Sequence, residues 1–199
     1  MSAPVFSWGV TGAVTNRNGE PLSVALVQLL VYASAGKFAA IANTDSFGRF
    51  SLATTAPAGN GELRVSRNGY LNQVASFTCV PPVPGARLCG DQNSIIVNVT
   101  LTQIVSAVVT SPTSLSVDET MPITRVIQLD DGRTITDNGF NPALSSDDIV
   151  YTNDPAIVMI VAGTSAGKMV RGVAEGNTNI VTRLASVYGF TPVTVSFAK

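Results

Sequence analysis

The 199-residue sequence contains no histidine. This absence excludes Ser-His-Asp triads, Cys-His pairs, histidine-ligated zinc and acid–base catalysis by an imidazole. No pair of carboxylates is spaced in a way that indicates acid–base work either, because each has an ordinary explanation in a turn. The sequence therefore predicts a protein that is not an enzyme, with no catalytic residues, no cofactor and no metal site.

Charged residues are scarce, at 13% of the chain against about 25% in a typical soluble domain. The net charge is −1 and the pI is about 5.3, so the chain has no electrostatic basis for binding nucleic acid or an anionic membrane. Such a surface also lacks the charge repulsion that keeps crowded monomers apart. This composition suits a chain whose surface is covered by partners.

Long apolar runs are absent as well. No window reaches the ~18 uninterrupted apolar residues of a membrane span, and the richest run, Val24–Ala33, is interrupted by Gln28. The segment that follows Met1 has neither a basic stretch nor an apolar run, so we expect no secretory signal peptide and synthesis in a cytoplasm. We also expect no insertion into a membrane.

Only two cysteines are present, Cys79 and Cys89, and the segment between them is rich in proline. One interpretation is two free thiols in a loop. The other is a disulfide that closes the loop and stabilises the fold by about 3 kcal/mol on the chain-entropy model. Such a bond would persist only outside a reducing cytosol. Two thiolates without further ligands cannot complete a zinc site.

What is abundant is short segments of Val, Ile, Thr and Phe, separated by Gly, Asn, Asp and Pro. This pattern predicts an all-β chain of fourteen or fifteen strands, too many for one sandwich. We expect two tandem β-sandwiches of the immunoglobulin-like or prealbumin-like kind. The predicted boundaries are an N-terminal arm at residues 1–8, a first sandwich at 9–103 and a second at 104–199. Residues 56–61 and Thr136–Asp148 are predicted loops.

Four segments resemble ligand-binding or cation-binding motifs, and each has a plainer explanation. Gly163–Met169 is one residue short of a phosphate-binding loop and is predicted to be a hairpin turn. Asn43–Gly48 lacks the glutamate of a calcium loop, so Asp45 is expected to bond its own turn. The pairs Asp130-Asp131 and Asp147-Asp148 would form a cation site only if their loops met, and separate solvated turns are the favoured interpretation.

Two aromatic residues, Phe6 and Trp8, lie ahead of the first predicted strand, Gly9–Thr15. Covering the end of the sandwich is one role for them. The alternative is an interface arm that docks on a neighbouring subunit, since buried tryptophan and tyrosine often anchor interfaces.

The first half resembles the carboxypeptidase regulatory-like (transthyretin-like) β-sandwich family. The residues that carry the resemblance are Gly12–Leu22 (GAVTNRNGEPL), the strand Val24–Leu30, the turn Thr44–Phe50 (TDSFGRF) and Val65–Tyr70 (VSRNGY). They occur in the order of the family pattern over about residues 9–102. The loop between the two cysteines is an addition that the pattern does not explain.

The second half resembles the group 2 bacterial immunoglobulin-like domain over residues 104–199. Val109–Pro112, Leu115–Thr120 and Asp131-Gly132 match its opening strands, and Gly172–Ile180 (GVAEGNTNI) matches its closing motif. Tyr151 stands where the family often has tryptophan. This departure, together with the longer loop at Thr136–Asp148, puts any ligand shared by the family in doubt.

Both resemblances imply modules that space, display or bind rather than catalyse, and fold alone does not fix function. We expect a structural component of a bacteriophage virion, such as a head-decoration, collar or tail-accessory protein. Its expected partners are other virion proteins, copies of itself and a glycan or receptor on the host surface. The alternative is a two-module fragment of a secreted bacterial adhesin or carbohydrate-associated protein at the cell surface.

Overall fold

The computed structural model describes residues 5–33, 36–79, 95–141, 143–144, 148–163, 167–184 and 186–198. Strands and turns account for their regular structure, and no helix occurs in these ranges. The predicted all-β class is therefore confirmed. Consistent with this, the described residues include no helix long and apolar enough to cross a membrane.

The chain packs into two compact units. The first comprises Met1–Arg67 and Asn72–Leu101, and the second comprises Asn68–Leu71 and Thr102–Lys199. The described strands of the first unit are β1 (Val5–Asn16), β2 (Leu26–Ala33), β3 (Gly36–Asn43), β4 (Arg49–Pro57), β5 (Gly59–Ser66), β6 (Gln73–Cys79), β7 (Ile95–Ile96) and β8 (Val99–Leu101).

Two sheets form the first unit. In one, β1 pairs antiparallel with β4 and parallel with both β7 and β8. The other has the order β3-β2-β5-β6 with antiparallel neighbours throughout. Alternate residues of β4 are buried, as expected for a strand with one face on a core. The largest fully buried side chains of this unit are Trp8, Leu29, Leu63, Leu101 and Val10.

The first strand begins at Val5 and not at Gly9, which corrects the predicted N-terminal arm. Phe6 lies opposite Ala56 and Trp8 opposite Thr54 in the β1–β4 ladder. Trp8 is fully buried, and its Nε1 donates to the carbonyl oxygen of Ala56 at 3.3 Å. Its ring centroid is 6.2 Å from that of Phe77. Phe6 is only 7% exposed. Both rings therefore pack inside the first unit and are not presented to a neighbouring subunit. Residues 1–4 of the predicted arm lie outside the described residues.

The turn between β3 and β4 is held by its own side chains. The Oδ1 of Asp45 accepts from the backbone N–H groups of Phe47 at 2.9 Å and Arg49 at 2.8 Å. The expectation that Asp45 bonds its own turn is confirmed. Gly48 has φ +70°, and a Cβ there would lie 2.5 Å from the carbonyl oxygen of Val14, so only glycine fits.

The described strands of the second unit are β9 (Ile104–Ser111), β10 (Ser114–Ser116), β11 (Thr120–Pro122), β12 (Thr124–Leu129), β13 (Thr134–Asp137), β14 (Asp148–Thr152), β15 (Val158–Ala162), β16 (Lys168–Gly172), β17 (Gly176–Leu184) and β18 (Val187–Ser196). They form three sheets, in the orders β10-β18-β17-β14, β11-β16-β15 and β13-β12-β9.

Two apolar clusters fill the second unit. One surrounds Ile123, Val158 and Ile180, and the other surrounds Ala107, Ile127 and Leu184. Leu71 packs in the second cluster, and its N–H donates to the carbonyl oxygen of Thr102 at 2.9 Å. The segment Asn68–Leu71, which lies between β5 and β6 in the sequence, is therefore part of the second unit.

Two further predictions can be placed on the fold. The segment Gly163–Met169 connects the antiparallel strands β15 and β16, and the N–H of Gly163 donates to the carbonyl oxygen of Gly167 at 2.9 Å. The predicted hairpin is confirmed at these positions, although residues 164–166 lie outside the described ranges. Cys79 is the last residue of β6, and Cys89 also lies outside the described residues. The disulfide therefore stays a prediction.

Candidate interaction surface

The outer face of the β14–β17–β18 sheet carries the main candidate site. Directly opposite residues of neighbouring antiparallel strands share a face, so the register identifies what this face presents. One row across it is Tyr151, Val181 and Phe190, and the next is Ile149, Arg183 and Tyr188. We call these six residues the aromatic face.

The strand pattern explains why this sheet carries apolar side chains on both of its faces. In β18 every second residue from Gly189 to Val195 is buried, and these residues contact the interior of the unit. The alternate positions point outward and include Tyr188 and Phe190, which are 51% and 58% exposed. On β14, Tyr151 and Ile149 are also exposed, while Val181 between the two aromatic neighbours is fully buried.

Arg183 stands in the middle of its row, between Ile149 and Tyr188. Among the residues that the structure describes, Arg183 forms no ion pair. Tyrosine, phenylalanine and arginine are the residues that protein interfaces concentrate at their centres. The aromatic face can therefore bury apolar area against a partner and offer a cation to an acidic group on that partner.

A buried ion cluster lies elsewhere in the second unit. Arg125 on β12 is fully buried and donates to two carboxylates, Asp137 on β13 and Asp148 on β14. Its Nε and Nη2 donate to Asp137 at 2.9 and 2.8 Å, and Nη2 also donates to Asp148 at 2.8 Å. Nη1 forms a further short bond to Asp148. The two acids flank the predicted Thr136–Asp148 loop, so one guanidinium joins both ends of that segment.

The charges of this cluster affect one another. Burial on its own lowers the pKa of Arg125, but its hydrogen bonds to Asp148 and Asp137 outweigh that effect and raise it above the ordinary value. Lys168 lies nearby, and its pKa is lowered, chiefly by burial, against the opposing attraction of Asp148. With two arginine-bound carboxylates and one partly buried ammonium, the cluster is a structural element that fixes β12, β13 and β14.

The predicted acidic pairs do not form a cation site in the described structure. The Asp131 carboxylate accepts from the backbone N–H and the Nε of Arg133 within its own turn. Asp148 lies in β14 and is bound by Arg125, so the expectation of a solvated turn there is wrong. Asp147 is outside the described residues, and the described ones contain no group of three or more metal-ligating side chains.

Sequence reasoning did not find the aromatic face. Its six members come from three strands, and they meet only through the register of β14, β17 and β18. The alternation of Tyr188, Phe190 and Pro192 with Gly189, Thr191 and Val193 was the available signal, because period-two patterns mark strands.

Comparison with protein families gives a match to the carboxypeptidase regulatory-like domain over residues 9–102. The resemblance predicted for the first half is thereby confirmed. The resemblance of the second half to the group 2 bacterial immunoglobulin-like domain remains a prediction. A comparison with curated proteins finds no match.

Solved structures similar to the chain share little sequence with it. A catechol 1,2-dioxygenase from Acinetobacter sp. ADP1 is 13% identical with a TM-score of 0.38, over 50% of this chain and 53% of that chain. A 3-chlorocatechol 1,2-dioxygenase from Rhodococcus opacus 1CP is 16% identical with a TM-score of 0.37, over 50% and 60%. Domains 4 and 5 of the S-layer protein SbsC are 15% identical with a TM-score of 0.36, over 72% and 68%.

The match therefore spans only about half of the length of the Acinetobacter enzyme. At these identities and TM-scores, no activity, ligand or partner follows for this chain from the dioxygenases or the S-layer protein.

Proposed function

We propose that the chain is a non-enzymatic structural protein of a bacteriophage particle, where it attaches to neighbouring virion subunits through the aromatic face. The observation that carries the proposal is the group of exposed aromatic residues Tyr151, Tyr188 and Phe190 beside Arg183, in a chain with few charges. A group of exposed apolar side chains on a folded unit is typical of a surface that another protein covers.

The chemistry of the face favours a protein partner over a sugar. Ile149 and Phe190 are exposed and offer no hydrogen bonds, so a partner there must bury apolar area, which a protein surface does better than a sugar. A protein surface with an apolar patch and one acidic residue would bury the rings and pair with Arg183. Repetition of one such contact on a symmetric particle would give firm attachment from individually weak contacts. The resemblance of the second half to bacterial immunoglobulin-like domains supports a role as an accessory module.

The first experiment is immunogold electron microscopy with an antibody against the chain, applied to phage lysate and to intact source cells. Regular labelling of heads, necks or tails is the expected result and would locate the protein on the particle. Labelling confined to cell envelopes would contradict a virion role and favour a secreted adhesin.

A binding assay tests the surface itself. Particles that lack the chain are mixed with purified protein and sedimented, and the bound fraction is measured against concentration. The double variant Tyr188→Ser/Phe190→Ser is expected to bind about tenfold more weakly or worse, because centrally placed aromatic residues dominate interface energies. Phe47→Ser is the matched control, since Phe47 is exposed in a turn of the first unit. Equal binding by both variants would exclude the aromatic face.

A further inference from the structure

The first unit has a polar cleft on the outer face of its β3-β2-β5-β6 sheet. The register places Lys37, Tyr32, Asn60 and Thr78 in one row across the four strands. The adjacent row contains Glu62 on β5 and Ser76 on β6. The cleft has a volume of about 310 Å³, and Tyr32, Asn60, Glu62, Ser76 and Thr78 line it.

Tyr32 provides the aromatic wall of the cleft. It is 40% exposed, and the Lys37 ammonium lies 5.7 Å from its ring centroid. Lys37 is its neighbour on β3 and Asn60 its neighbour on β5, so the ammonium approaches from the side away from the cleft. The cation holds the ring in place. The opposite ring face is electron-rich and can receive polarised C–H groups of a ligand.

Hydrogen-bonding groups converge beside the ring. Thr78 donates through Oγ1 to the Oδ1 of Asn60 at 3.2 Å, which turns the amide N–H groups of Asn60 away from Thr78. The carboxylate of Glu62 accepts from the Nε of Arg64. Arg64 does not line the cleft, whereas Glu62 does. The lining thus offers amide donors, hydroxyl groups and carboxylate acceptors within one small space.

We propose that this cleft binds a neutral saccharide, with one sugar ring stacked on Tyr32 and its hydroxyl groups bonded to Asn60, Glu62 and Thr78. An aromatic wall combined with a few polar groups suits a ligand that has both C–H faces and many hydroxyls. The volume is at the small end of the usual range for ligand sites, which fits one or two sugar rings. Lys37 and Arg64 both lie outside the lining, and Arg64 is paired with Glu62, so the lining holds no cation that would select an anionic ligand.

The test uses the full chain and three defined probes, maltopentaose, cellopentaose and mannopentaose. Saturation-transfer NMR identifies which probe binds, and a titration gives its dissociation constant. At least one probe is expected to bind with a Kd of about 1 mM or tighter. Tyr32→Ala and Asn60→Ala are each expected to weaken that binding about tenfold, and one-dimensional spectra verify that both variants fold. Tyr188→Ala, on the aromatic face, is the matched control and should bind like the wild type.

Three results would overturn the proposal. One is the absence of binding by all three probes at about 10 mM. Another is binding that survives Tyr32→Ala. The third is tighter binding of tri-galacturonate than of the neutral probes, because the proposed ligand is a neutral sugar. None of these results affects attachment through the aromatic face, which is measured with different variants and a different partner.

Discussion

A single side chain, Arg125, shows how a buried charge is accommodated in the second unit. Two carboxylates surround the guanidinium, with side-chain exposures of only 8% for Asp137 and 10% for Asp148. Removing charges from water is costly, and the bidentate geometry offsets that cost. The cluster therefore depends on all three partners, and loss of the arginine would leave two carboxylates without a counter-charge.

Replacing this arginine tests that dependence. Arg125→Met is expected to lower the free energy of unfolding by about 3–5 kcal/mol, because removing one partner of a buried ion pair leaves the other charge buried and uncompensated. Arg133→Met is the matched control, since Arg133 pairs with Asp131 but is 65% exposed, and its loss should cost less than about 1 kcal/mol. Urea unfolding measures both.

The triple variant Arg125→Met/Asp137→Asn/Asp148→Asn separates charge from shape. It should recover part of the stability lost in Arg125→Met, because the uncompensated carboxylates are gone. Equal stability of Arg125→Met and the wild type would show that the cluster contributes nothing to folding.

The sequence contained half of the information about this cluster. Arg125, Ile127 and Leu129 alternate in β12 and are all buried, so period two places the arginine on the inner face of its strand. Its partners could not be predicted in the same way. Asp137 and Asp148 belong to two other strands, and their approach depends on registers between separate parts of the chain.

At the scale of the strands, periodicity predicted most elements and missed those with unusual composition. β1 begins at Val5, ahead of the predicted start at Gly9, because a glycine is typical of a strand boundary. The sequence predicts a strand only over Val193–Phe197 and so misses the first half of β18, because Gly189 and Pro192 are typical of loops. A Cβ at Gly189 would lie 1.7 Å from the carbonyl oxygen of Ala107, so this glycine permits close packing against β9. Such contacts between strands cannot be read from one segment.

The N-terminal part of β1 offers a second test. Trp8→Ala removes a fully buried ring from the first unit and should lower its free energy of unfolding by about 3–5 kcal/mol, because the cavity cannot collapse completely. Phe47→Ala is the matched control, as this ring is 69% exposed. Calorimetry measures both variants. If Trp8→Ala unfolds at the wild-type temperature, the ring is not part of the core, and a role as an interface arm would regain support.

For the whole molecule, the decisive property is the low charge. With 12 basic and 13 acidic residues in 199, the net charge is −1, and long-range steering toward a partner is weak. On both proposed surfaces, the side chains available for recognition are uncharged, apart from Arg183 and Glu62. Neither surface could be predicted from composition, since each is assembled across strands by register.

The low charge also predicts how attachment to particles should respond to salt, if the proposed function holds. Raising NaCl from about 0.1 M to about 1 M shortens the Debye length from about 10 Å to about 3 Å, which weakens charge pairs and leaves apolar burial intact. The bound fraction in the sedimentation assay should therefore change by less than about twofold, the small loss reflecting the single pair at Arg183. Sodium sulfate should increase binding, because it is excluded from protein surfaces and strengthens apolar burial. A loss of about tenfold in NaCl would mean that charge pairs hold the chain to the particle, and the aromatic face would then be the wrong surface.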